Sequence, residues 1–355
     1  MKKTVVVGMS GGVDSSVAAY LLKEQGYNVI GLFMKNWQED DESCSAELDY
    51  ADVAKVCGAL DIPYYTVNYS KEYYEKVFEY FLAQFKKGLT PNPDVLCNRE
   101  IKFGPFLEYG LKLGADFIAT GHYAGVEERD GLFYLKRAKD NNKDQSYFLN
   151  QLTQRQLSKV IFPLENIEKP KVRSIAKELN LSTAEKKDST GICFIGERKF
   201  REFLKRYIPA QTGKILTMDG KQIGEHEGVM YYTIGQRKGL NVGGVSGESN
   251  ARWFVVDKDV QNNILYVQQN EDGQLLSKRL IAENFNFIPK MPNKEFSCVG
   301  KFRYREHDKK VNVIIEEDKV YIEFEVLERA VTLGQYAVLY DNAYCLGGGE
   351  IVFKE

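Results

Sequence analysis

The chain has 355 residues, of which 43% are hydrophobic and 28% are charged, and its formal net charge is −2. This length and composition are typical of a soluble globular protein with two or three domains. No apolar stretch approaches the length of a membrane span, so a protein anchored by spanning helices is excluded. Because the chain is nearly neutral, any nucleic-acid-binding surface must come from local basic patches.

The N-terminal residues do not predict export. The apolar run Thr4–Met9 is too short for a secretory signal, and polar residues follow it directly. No leader rich in arginine and serine precedes that run, so we expect a cytoplasmic protein. The cysteines are scattered without a C-x-x-C pair, which disfavours a zinc ribbon or a disulfide-stapled secreted scaffold.

The first part of the chain alternates β-branched apolar runs with segments of helical spacing. The predicted strands are Thr4–Met9, Asn28–Met34, Tyr64–Asn68 and Phe117–Thr120. The predicted helices between them are Ser15–Gln25, Ala46–Ala59, Glu72–Lys87 and Lys102–Leu113. This alternation predicts an α/β doubly wound, Rossmann-like parallel sheet. Ligands of such sheets bind outside the C-terminal strand ends, and that edge holds Ser10–Ser15, Met34 and Gly121-His122.

After Gly121 the pattern changes. Ala124–Glu128 and Leu132–Lys136 predict a hairpin, and Pro170–Leu179 predicts a helix. Later, glycine turns separate short alternating strands, predicted at Lys214–Thr217, Val229–Ile234, Trp253–Asp257, Ile264–Gln268, Phe296–Tyr304, Val311–Glu316, Val320–Val326, Gln335–Leu339 and Ala343–Phe353. We therefore expect a catalytic nucleotide-binding domain at 1–210, a small, mostly β central domain at 211–280 and a C-terminal β-barrel at 281–355.

The turn after the first predicted strand reads Ser10-Gly11-Gly12-Val13-Asp14-Ser15. Its adjacent glycines allow a ligand to approach the backbone, and the N–H groups at the start of the next helix attract anionic oxygens. Serine hydroxyls at 10, 15 and 16 add polar groups to the same cradle. The alternative is an ordinary tight turn with a helix cap. Neither G-x-x-x-x-G-K-[ST] nor G-x-G-x-x-G occurs in the chain.

Two cysteines lie in segments with turn chemistry. The prolines of segment 91–98 predict a rigid, extended loop that places Cys97 near the start of a helix, where a thiolate is favoured. Asp94, three residues earlier, is a candidate general acid or base, or a helix cap. Cys193 has a glycine on each side, which suits a loop that swings. The alternative is that both are inert residues, as we expect for Cys44, Cys57, Cys298 and Cys345.

In combination, these motifs resemble those of the tRNA-specific 2-thiouridylase family. They are S-G-G-V-D-S at 10–15, P-N-P-D-x-x-C-N at 91–98 and D-S-x-G-I-C-F-I-G at 188–196. The likeness covers essentially the whole chain, with G-H-Y at 121–123, K-D-Q-S-Y-F-L at 143–149, Y-T-I-G-Q-R-K-G at 232–239 and F-R-Y-R at 302–305. The first motif is similar to the pyrophosphatase loop of enzymes that use ATP to adenylate a carbonyl oxygen. The resemblance implies an ATP-dependent sulfurtransferase that replaces the C2 oxygen of the tRNA wobble uridine with sulfur.

The resemblance also implies roles for individual residues. Cys193 would carry sulfur as a persulfide supplied by a cysteine desulfurase or a sulfur-relay protein. Cys97 would be the nucleophile that acts on this persulfide, and a cellular reductant would reduce the resulting Cys97–Cys193 disulfide. The implied ATP contacts are Gly8, Met9, Ser10, Gly11, Gly12, Val13, Asp14, Ser15, Met34 and Gly121. Asp14 is in addition a candidate Mg²⁺ ligand, and no other metal ligand is assigned.

A wobble uridine must leave the anticodon stack before it enters a pocket. The resemblance implies target-base contacts at Asn92, Pro93 and Asp94, and other tRNA contacts at His122, Lys143, Asp144, Gln145, Arg303, Tyr304 and Gln335. Basic clusters at 198–206 and 301–310 support an RNA surface, although such runs are usually solvated charge. The alternative for His122 is a structural role at a strand end. One tRNA bound across the three domains is compatible with a monomer.

Three other functions fit part of the pattern. A sulfur-free pyrophosphatase-loop ligase or amidotransferase shares the phosphate loop but has no need of paired cysteines. An iron–sulfur thiolase would ligate a cluster through Cys97, Cys193 and Asp94 and leave one iron open for sulfide. An RNA-binding adaptor that merely retains a nucleotide fold is disfavoured, because every motif position is intact.

Overall fold

The computed structural model describes residues 2–37, 45–188, 200–242, 251–270 and 273–355. Cys44 and Cys193 lie outside the described residues. The predictions made for Cys193, including its disulfide with Cys97, therefore lie there as well.

A parallel sheet forms the centre of the N-terminal part, in the order β3-β2-β1-β4-β7. Its strands are β1 (Thr4–Met9), β2 (Asn28–Lys35), β3 (Tyr64–Asn68), β4 (Phe117–Ala119) and β7 (Val160–Ile161). The first four confirm the predicted strands. The strand β7 was not predicted, because two residues are too few to show a period.

Helices connect these strands, as the alternation predicted. They are α1 (Val13–Glu24), α2 (Ser45–Ala59), α3 (Ser70–Tyr73), α4 (Glu79–Lys86), α5 (Pro93–Cys97), α6 (Pro105–Lys112), α7 (Gln154–Leu157), α8 (Lys169–Glu178) and α9 (Phe200–Lys205). A π-helical turn at Tyr74–Phe78 joins α3 to α4, and a second at Asn98–Lys102 follows α5 directly. Short 3₁₀ helices lie at Ser146–Leu149, Val229–Tyr231 and Gly273–Leu275.

Alternate residues of β1 bury opposite faces of the sheet. Val5 and Val7 pack into a core with residues of α1, α2 and α8, whereas Val6 packs into a second core with residues of α6. All three valines are fully buried. Burial on both faces is the reason β1 reads as a continuous apolar run, and it confirms the doubly wound architecture.

The middle of the chain forms a smaller sheet in the order β10-β11-β8-β9. Its strands are β8 (Gly213–Thr217), β9 (Gln222–His226), β10 (Trp253–Asp259) and β11 (Ile264–Gln269). The predicted strand Val229–Ile234 is wrong, because its first three residues form a 3₁₀ helix. Val229 and Tyr231 are both buried there, which produced the strand-like alternation.

The C-terminal strands close into a barrel. They are β12 (Leu276–Phe287), β13 (Glu295–Lys301), β14 (Lys309–Glu316), β15 (Lys319–Arg329), β16 (Tyr336–Asp341) and β17 (Tyr344–Lys354), in the order β12-β15-β14-β13-β16-β17, with β12 pairing β17. The barrel confirms the predicted fold class. The strand β12 escaped prediction because a bulge between Ser277 and Arg279 interrupts its alternation.

The predicted hairpin is confirmed as β5 (Ala124–Arg129) and β6 (Leu132–Arg137), but its position was not foreseen. Leu135 and Lys136 of β6 pair with Cys345 and Tyr344 of β17. The hairpin therefore extends the barrel sheet, although it belongs to the N-terminal part of the sequence. This pairing holds the barrel against the edge of the parallel sheet where ligands are expected.

Candidate active site at the edge of the parallel sheet

The phosphate loop lies between β1 and α1. Its shape comes from hydrogen bonds of Ser15 and Ser16, whose hydroxyls donate to the Gly12 carbonyl at 3.1 and 2.8 Å. The Ser10 backbone N–H in turn donates to the Ser15 Oγ at 3.2 Å. Gly12 is the N-cap of α1 and provides no side-chain cap. The first-turn N–H groups of α1 therefore carry the positive end of the helix dipole toward the loop.

Two glycines give the loop its close packing. Gly11 has φ +73°, and a Cβ there would lie 2.6 Å from the backbone oxygen of Asp49. A Cβ at Gly121, after β4, would lie 2.8 Å from the backbone nitrogen of Ser15. Both contacts are shorter than any ordinary van der Waals distance, so these positions admit only glycine. This arrangement confirms that the segments after β1 and β4 meet at one edge of the sheet.

Asp14, in the first turn of α1, is held by two residues to which the sequence assigned no role. The Lys169 Nζ lies 2.6 and 2.7 Å from the two carboxylate oxygens of Asp14. The Tyr123 hydroxyl donates to Asp14 Oδ1 at 2.9 Å. Burial and the charge of Asp14 raise the pKa of Tyr123, so its hydroxyl stays protonated and remains a donor.

Asp188 extends this network away from the phosphate loop. Its carboxylate lies 2.8 Å from Lys169 Nζ, 2.6 Å from Lys143 Nζ and 2.7 Å from Arg173. Burial alone would raise the pKa of Asp188, but the hydrogen bonds from Lys143 and Lys169 outweigh it and lower that pKa to about 2. The carboxylate of Asp188 is therefore ionised throughout the neutral range. Asp188 is also the last described residue before the segment that contains Cys193.

Cys97 lies in a helix rather than in the extended loop we predicted. The side chain of Asn92 caps the short helix α5 by accepting from the backbone N–H of Val95 at 3.3 Å. Pro93 occupies the first turn, where a proline lacks no needed donor. Cys97 is the last residue of α5 rather than near a helix start, and the π-helical turn follows it directly. Single π-turns inside helices are frequent at functional sites.

The side chain of Cys97 is buried, with 1% of its surface exposed. It belongs to a hydrophobic cluster that also contains Leu96 and, from α9, Phe203 and Leu204. The helix α9 is the first described element after the Cys193 segment. The segment that contains Cys193 therefore follows Asp188, which belongs to the phosphate-loop network, and precedes α9, which belongs to the cluster that surrounds Cys97.

Asp94 and Met34 are two further predicted site residues. Burial raises the pKa of Asp94, against an opposing effect of the nearby Lys102, which favours a carboxyl that can hold a proton. Met34, near the C-terminal end of β2, packs against the cluster that contains Cys97 and against the core that contains Phe106. A Cβ at Gly8 would lie 3.2 Å from Phe106, so this core reaches the phosphate loop.

The chain is similar to known proteins along nearly its whole length. Family models match the chain at residues 3–197 ("tRNA methyl transferase HUP domain"), 201–269 ("tRNA methyl transferase PRC-barrel domain") and 277–351 ("Aminomethyltransferase beta-barrel domain"). The chain is 58% identical over 356 residues to the tRNA-specific 2-thiouridylase MnmA of Streptococcus sanguinis, covering 99% of this chain and 95% of that one. It belongs to the tRNA-specific 2-thiouridylase family.

A second relative matches the chain over the same share of its length. The tRNA-specific 2-thiouridylase MnmA of Streptococcus thermophilus is 57% identical over 355 residues, covering 99% of this chain and 95% of that one. Among solved structures, the U34-tRNA thiolase NcsA from Methanococcus maripaludis, with its [4Fe-4S] cluster, is 22% identical with a TM-score of 0.36, covering 58% of this chain and 67% of that chain. At that TM-score, nothing about this 2-thiouridylase follows from the likeness.

The residues predicted to contact the target base lie where the barrel meets the helices. The Asn92 amide lies 3.5 Å from the Gln335 side-chain oxygen, and Gln335 donates to the Thr90 carbonyl at 2.7 Å. Arg303 donates to the Ala330 carbonyl and, at 3.0 Å, to the Thr332 hydroxyl. Gln335 therefore joins the barrel to the segment before α5, and Arg303 supports the barrel turn after β15. Their contact with tRNA stays a prediction.

The other predicted tRNA contacts are more buried than expected. Asp144 accepts from the Ala138 backbone, and Gln145 accepts from the Tyr123 backbone, both at 3.0 Å. The ring of Tyr304 packs on Phe148 with centroids 4.3 Å apart. Lys143 pairs with Asp188, as described above. These side chains hold the segment after the hairpin in place, and their tRNA contacts likewise stay predictions.

His122 has a structural environment in this 2-thiouridylase. Its ring is 9% exposed, and its Nδ1 lies 2.7 Å from the Thr120 hydroxyl. Burial, and secondarily the charge of Lys102, lower the pKa of His122 well below its usual value, so the imidazole is neutral at pH 7. A neutral, buried ring favours the structural alternative, and its contact with RNA stays a prediction.

Among the described residues, no helix is long and apolar enough to cross a membrane. Within the same ranges, no group of three or more His, Cys, Asp or Glu side chains has a metal-binding arrangement. Sequence reasoning missed Lys169 and Arg173, and Tyr123 was visible only as the last residue of the G-H-Y motif. Asp188 was visible only as the first residue of the motif around Cys193.

One prediction concerns the pH dependence of stability. Burial, followed by the charge of Glu328, raises the pKa of Glu306 from 4.5 to about 7. The folded chain thus retains a proton that the unfolded chain releases, so stability falls as pH rises from 4.5 to about 7. Allowing for solvent at this half-buried side chain, we expect Glu306→Gln to gain about 2 kcal/mol relative to wild type between pH 4.5 and about 8.

Urea unfolding at the two pH values measures this gain. The control is Glu316→Gln, an exposed carboxyl of the same barrel. The control is expected to keep the pH dependence of the wild type. A Glu306→Gln variant with the same pH dependence as wild type would show that Glu306 is already ionised at neutral pH.

Proposed function

We propose that this 2-thiouridylase converts the wobble uridine of tRNA to 2-thiouridine in an ATP-dependent reaction. ATP supplies the adenylyl group that turns the C2 oxygen into a leaving group, with AMP and pyrophosphate as products. The sulfur comes from a persulfide on Cys193. The observation that carries this proposal is the contact of Met34, at the ligand-binding edge of the sheet, with the cluster that surrounds Cys97.

The phosphate loop supports the activation step. The N–H groups of the first turn of α1 favour phosphate oxygens, and Gly11 leaves the backbone open to them. Asp14 provides carboxylate oxygens of the kind that Mg²⁺ prefers. Met34 stands at the adjacent strand end, where an adenine ring would contact it. These residues fit a bound ATP, with Gly8 to Ser15 on its phosphates and Gly121 beside them.

Cys97 and Cys193 carry out the sulfur transfer. In one route, the Cys97 thiolate attacks the persulfide of Cys193 and releases sulfide, which then displaces AMP from C2. In the other route, the terminal persulfide sulfur attacks C2 and displaces AMP, and Cys97 then attacks the Cys193 sulfur and frees the thiolated tRNA. Both routes end in a Cys97–Cys193 disulfide, so a cellular reductant is required for turnover. Asp94, with its raised pKa, is the candidate proton donor or acceptor.

The substrate must present an extruded base. Asn92 caps the short helix that ends at Cys97, and Pro93 and Asp94 begin it, so the three residues lie on the same helical segment as the reacting thiol. Arg303, Tyr304 and Gln335 belong to the barrel side of the same junction. We propose that the uridine enters between these two sides and that the barrel holds the anticodon arm. An upstream persulfide donor delivers the sulfur, and a monomer suffices for one tRNA.

The direct test uses the purified full chain with ATP, Mg²⁺, unmodified tRNA, a reductant and a persulfide-charged cysteine desulfurase. Mass spectrometry of the anticodon nucleosides should reveal 2-thiouridine in the wild type. Cys193→Ser should give none while binding tRNA as tightly as wild type, because a serine oxygen cannot hold the transferable sulfur. Cys298→Ser, in the barrel strand β13, is the control and should retain activity.

Four outcomes would contradict the proposal. If no 2-thiouridine forms in either the presence or the absence of oxygen, the chain does not catalyse thiolation. A methylated uridine would instead indicate a tRNA methyltransferase, as the descriptions of two matched family models say. Full activity of Cys193→Ser would remove that thiol from the mechanism. An iron-dependent absorbance that disappears in Cys97→Ala would favour an iron–sulfur thiolase.

A further inference from the structure

The first residue of α8 is a cation in an unfavourable place. Lys169 begins that helix, where the dipole favours anions, and no acidic residue occupies the first turn. Its side chain is nevertheless 10% exposed, and its ammonium lies between Asp14 and Asp188. Burying an ammonium is costly unless it is paired. Lys169 is buried at the edge of the phosphate loop despite this cost.

The carboxylates around this ammonium balance the cations only while Asp14 is included. Lys169, Lys143 and Arg173 supply three cations, and Asp14 and Asp188 supply two carboxylates that pair with them. Asp140 is the third carboxylate, and it accepts from the backbone N–H of Lys169 at 2.9 Å, which fixes the start of α8. If Asp14 turns to a bound Mg²⁺, the remaining network has one cation more than it has carboxylates. A phosphate oxygen at the loop would restore the balance.

We propose that Lys169 is a phosphate-binding residue, which contacts the pyrophosphate portion of the nucleotide. This inference rests on the proposed use of ATP. Without nucleotide, Asp14 holds the Lys169 ammonium. With Mg²⁺ and nucleotide present, Asp14 turns to the cation and Lys169 turns to the phosphate oxygens, while Asp188 keeps Lys169 near the loop. The positive charge then stabilises the pyrophosphate that leaves during adenylation.

The test measures ligand binding by calorimetry, in excess Mg²⁺ and without tRNA or a sulfur source. Lys169→Met keeps the length of the side chain and removes its charge. We expect this variant to bind ATP and inorganic pyrophosphate at least about tenfold more weakly than wild type, because a charge-assisted hydrogen bond is lost. Its affinity for AMP should stay within about twofold of wild type.

Lys136→Met is the matched control. Lys136 also pairs with two carboxylates, Glu127 at 3.4 Å and Glu165 at 2.8 Å, but it lies in the hairpin strand β6. This variant should bind all three ligands like wild type. Wild-type affinity of Lys169→Met for pyrophosphate, or an equal loss of affinity for AMP, would overturn the proposal and leave Lys169 as a structural counter-ion.

A second measurement applies if Lys169→Met does not fold. In wild-type chain with isotope-labelled lysine, the Lys169 signal is assigned by its absence from the Lys169→Arg spectrum. We expect pyrophosphate with Mg²⁺ to shift this signal and AMP to leave it unchanged, and no shift with pyrophosphate would overturn the proposal. Since neither experiment requires thiolation, a failure of the proposed function is seen only in the tRNA assay.

Discussion

Replacing Cys97 by serine should reduce 2-thiouridine formation by at least about a hundredfold, because an alcohol at neutral pH cannot attack a sulfur–sulfur bond. ATP and tRNA binding should remain, since Cys97 lies in a hydrophobic cluster outside the phosphate loop and the substitution removes no larger group than a sulfur atom. The measurements are nucleoside mass spectrometry after a fixed reaction time and direct titration of each ligand.

Cys57→Ser is the control that separates chemistry from packing. Cys57 is as deeply buried as Cys97, in the separate core that contains Val5 and Val7. Replacing a buried thiol by a hydroxyl lowers the free energy of unfolding by roughly 1–3 kcal/mol at either position. Thermal unfolding should therefore show similar losses for both variants, whereas only Cys97→Ser should lose thiolation. Thiolation by Cys97→Ser at the rate of Cys57→Ser would exclude Cys97 as the nucleophile.

Replacing Gly11 by alanine should abolish ATP binding. The added methyl group would lie 2.6 Å from the Asp49 carbonyl oxygen, in a residue with φ +73°. The loop must therefore open away from α2, and the geometry of the N–H groups that hold phosphate is lost. We expect affinity for ATP to fall by at least about a hundredfold in a binding titration.

Gly26→Ala tests whether backbone strain alone explains such a loss. Gly26 has φ +87°, and a Cβ there would meet nothing within 4 Å. The change should cost about 1 kcal/mol of stability by its left-handed conformation and leave ATP binding intact. Normal ATP affinity in Gly11→Ala would show that the loop is not the phosphate site.

The sequence predicted those parts of the fold whose burial follows a simple period. The run Val5–Val7 predicted β1, and the glycines at 11 and 12 predicted the turn after it. The strand β12 was missed because its bulge brings two exposed charges together, and the 3₁₀ helix at Val229–Tyr231 was misread because it buries alternate residues. Period-based reasoning fails at such local irregularities.

The site was predicted in its motifs but not in its long-range contacts. Asp14 was identified from the loop, but its partner Lys169 is 155 residues away in the chain. No local pattern reports such a contact, and a lysine at a helix start is a poor signal because it opposes the usual charge preference. The depth of Cys97 was missed for a related reason. Its cover includes Phe203 of α9, which no spacing near Cys97 could indicate.

The central claim is that the C2 oxygen of the uridine leaves as part of AMP. It is tested most directly with an anticodon stem-loop whose wobble uridine carries a heavy oxygen isotope at C2 only. After one turnover with ATP and persulfide-charged protein, mass spectrometry of the products locates the isotope. The account predicts heavy oxygen in the phosphate of AMP and sulfur at C2. Heavy oxygen retained in the RNA, or released without entering AMP, would contradict it.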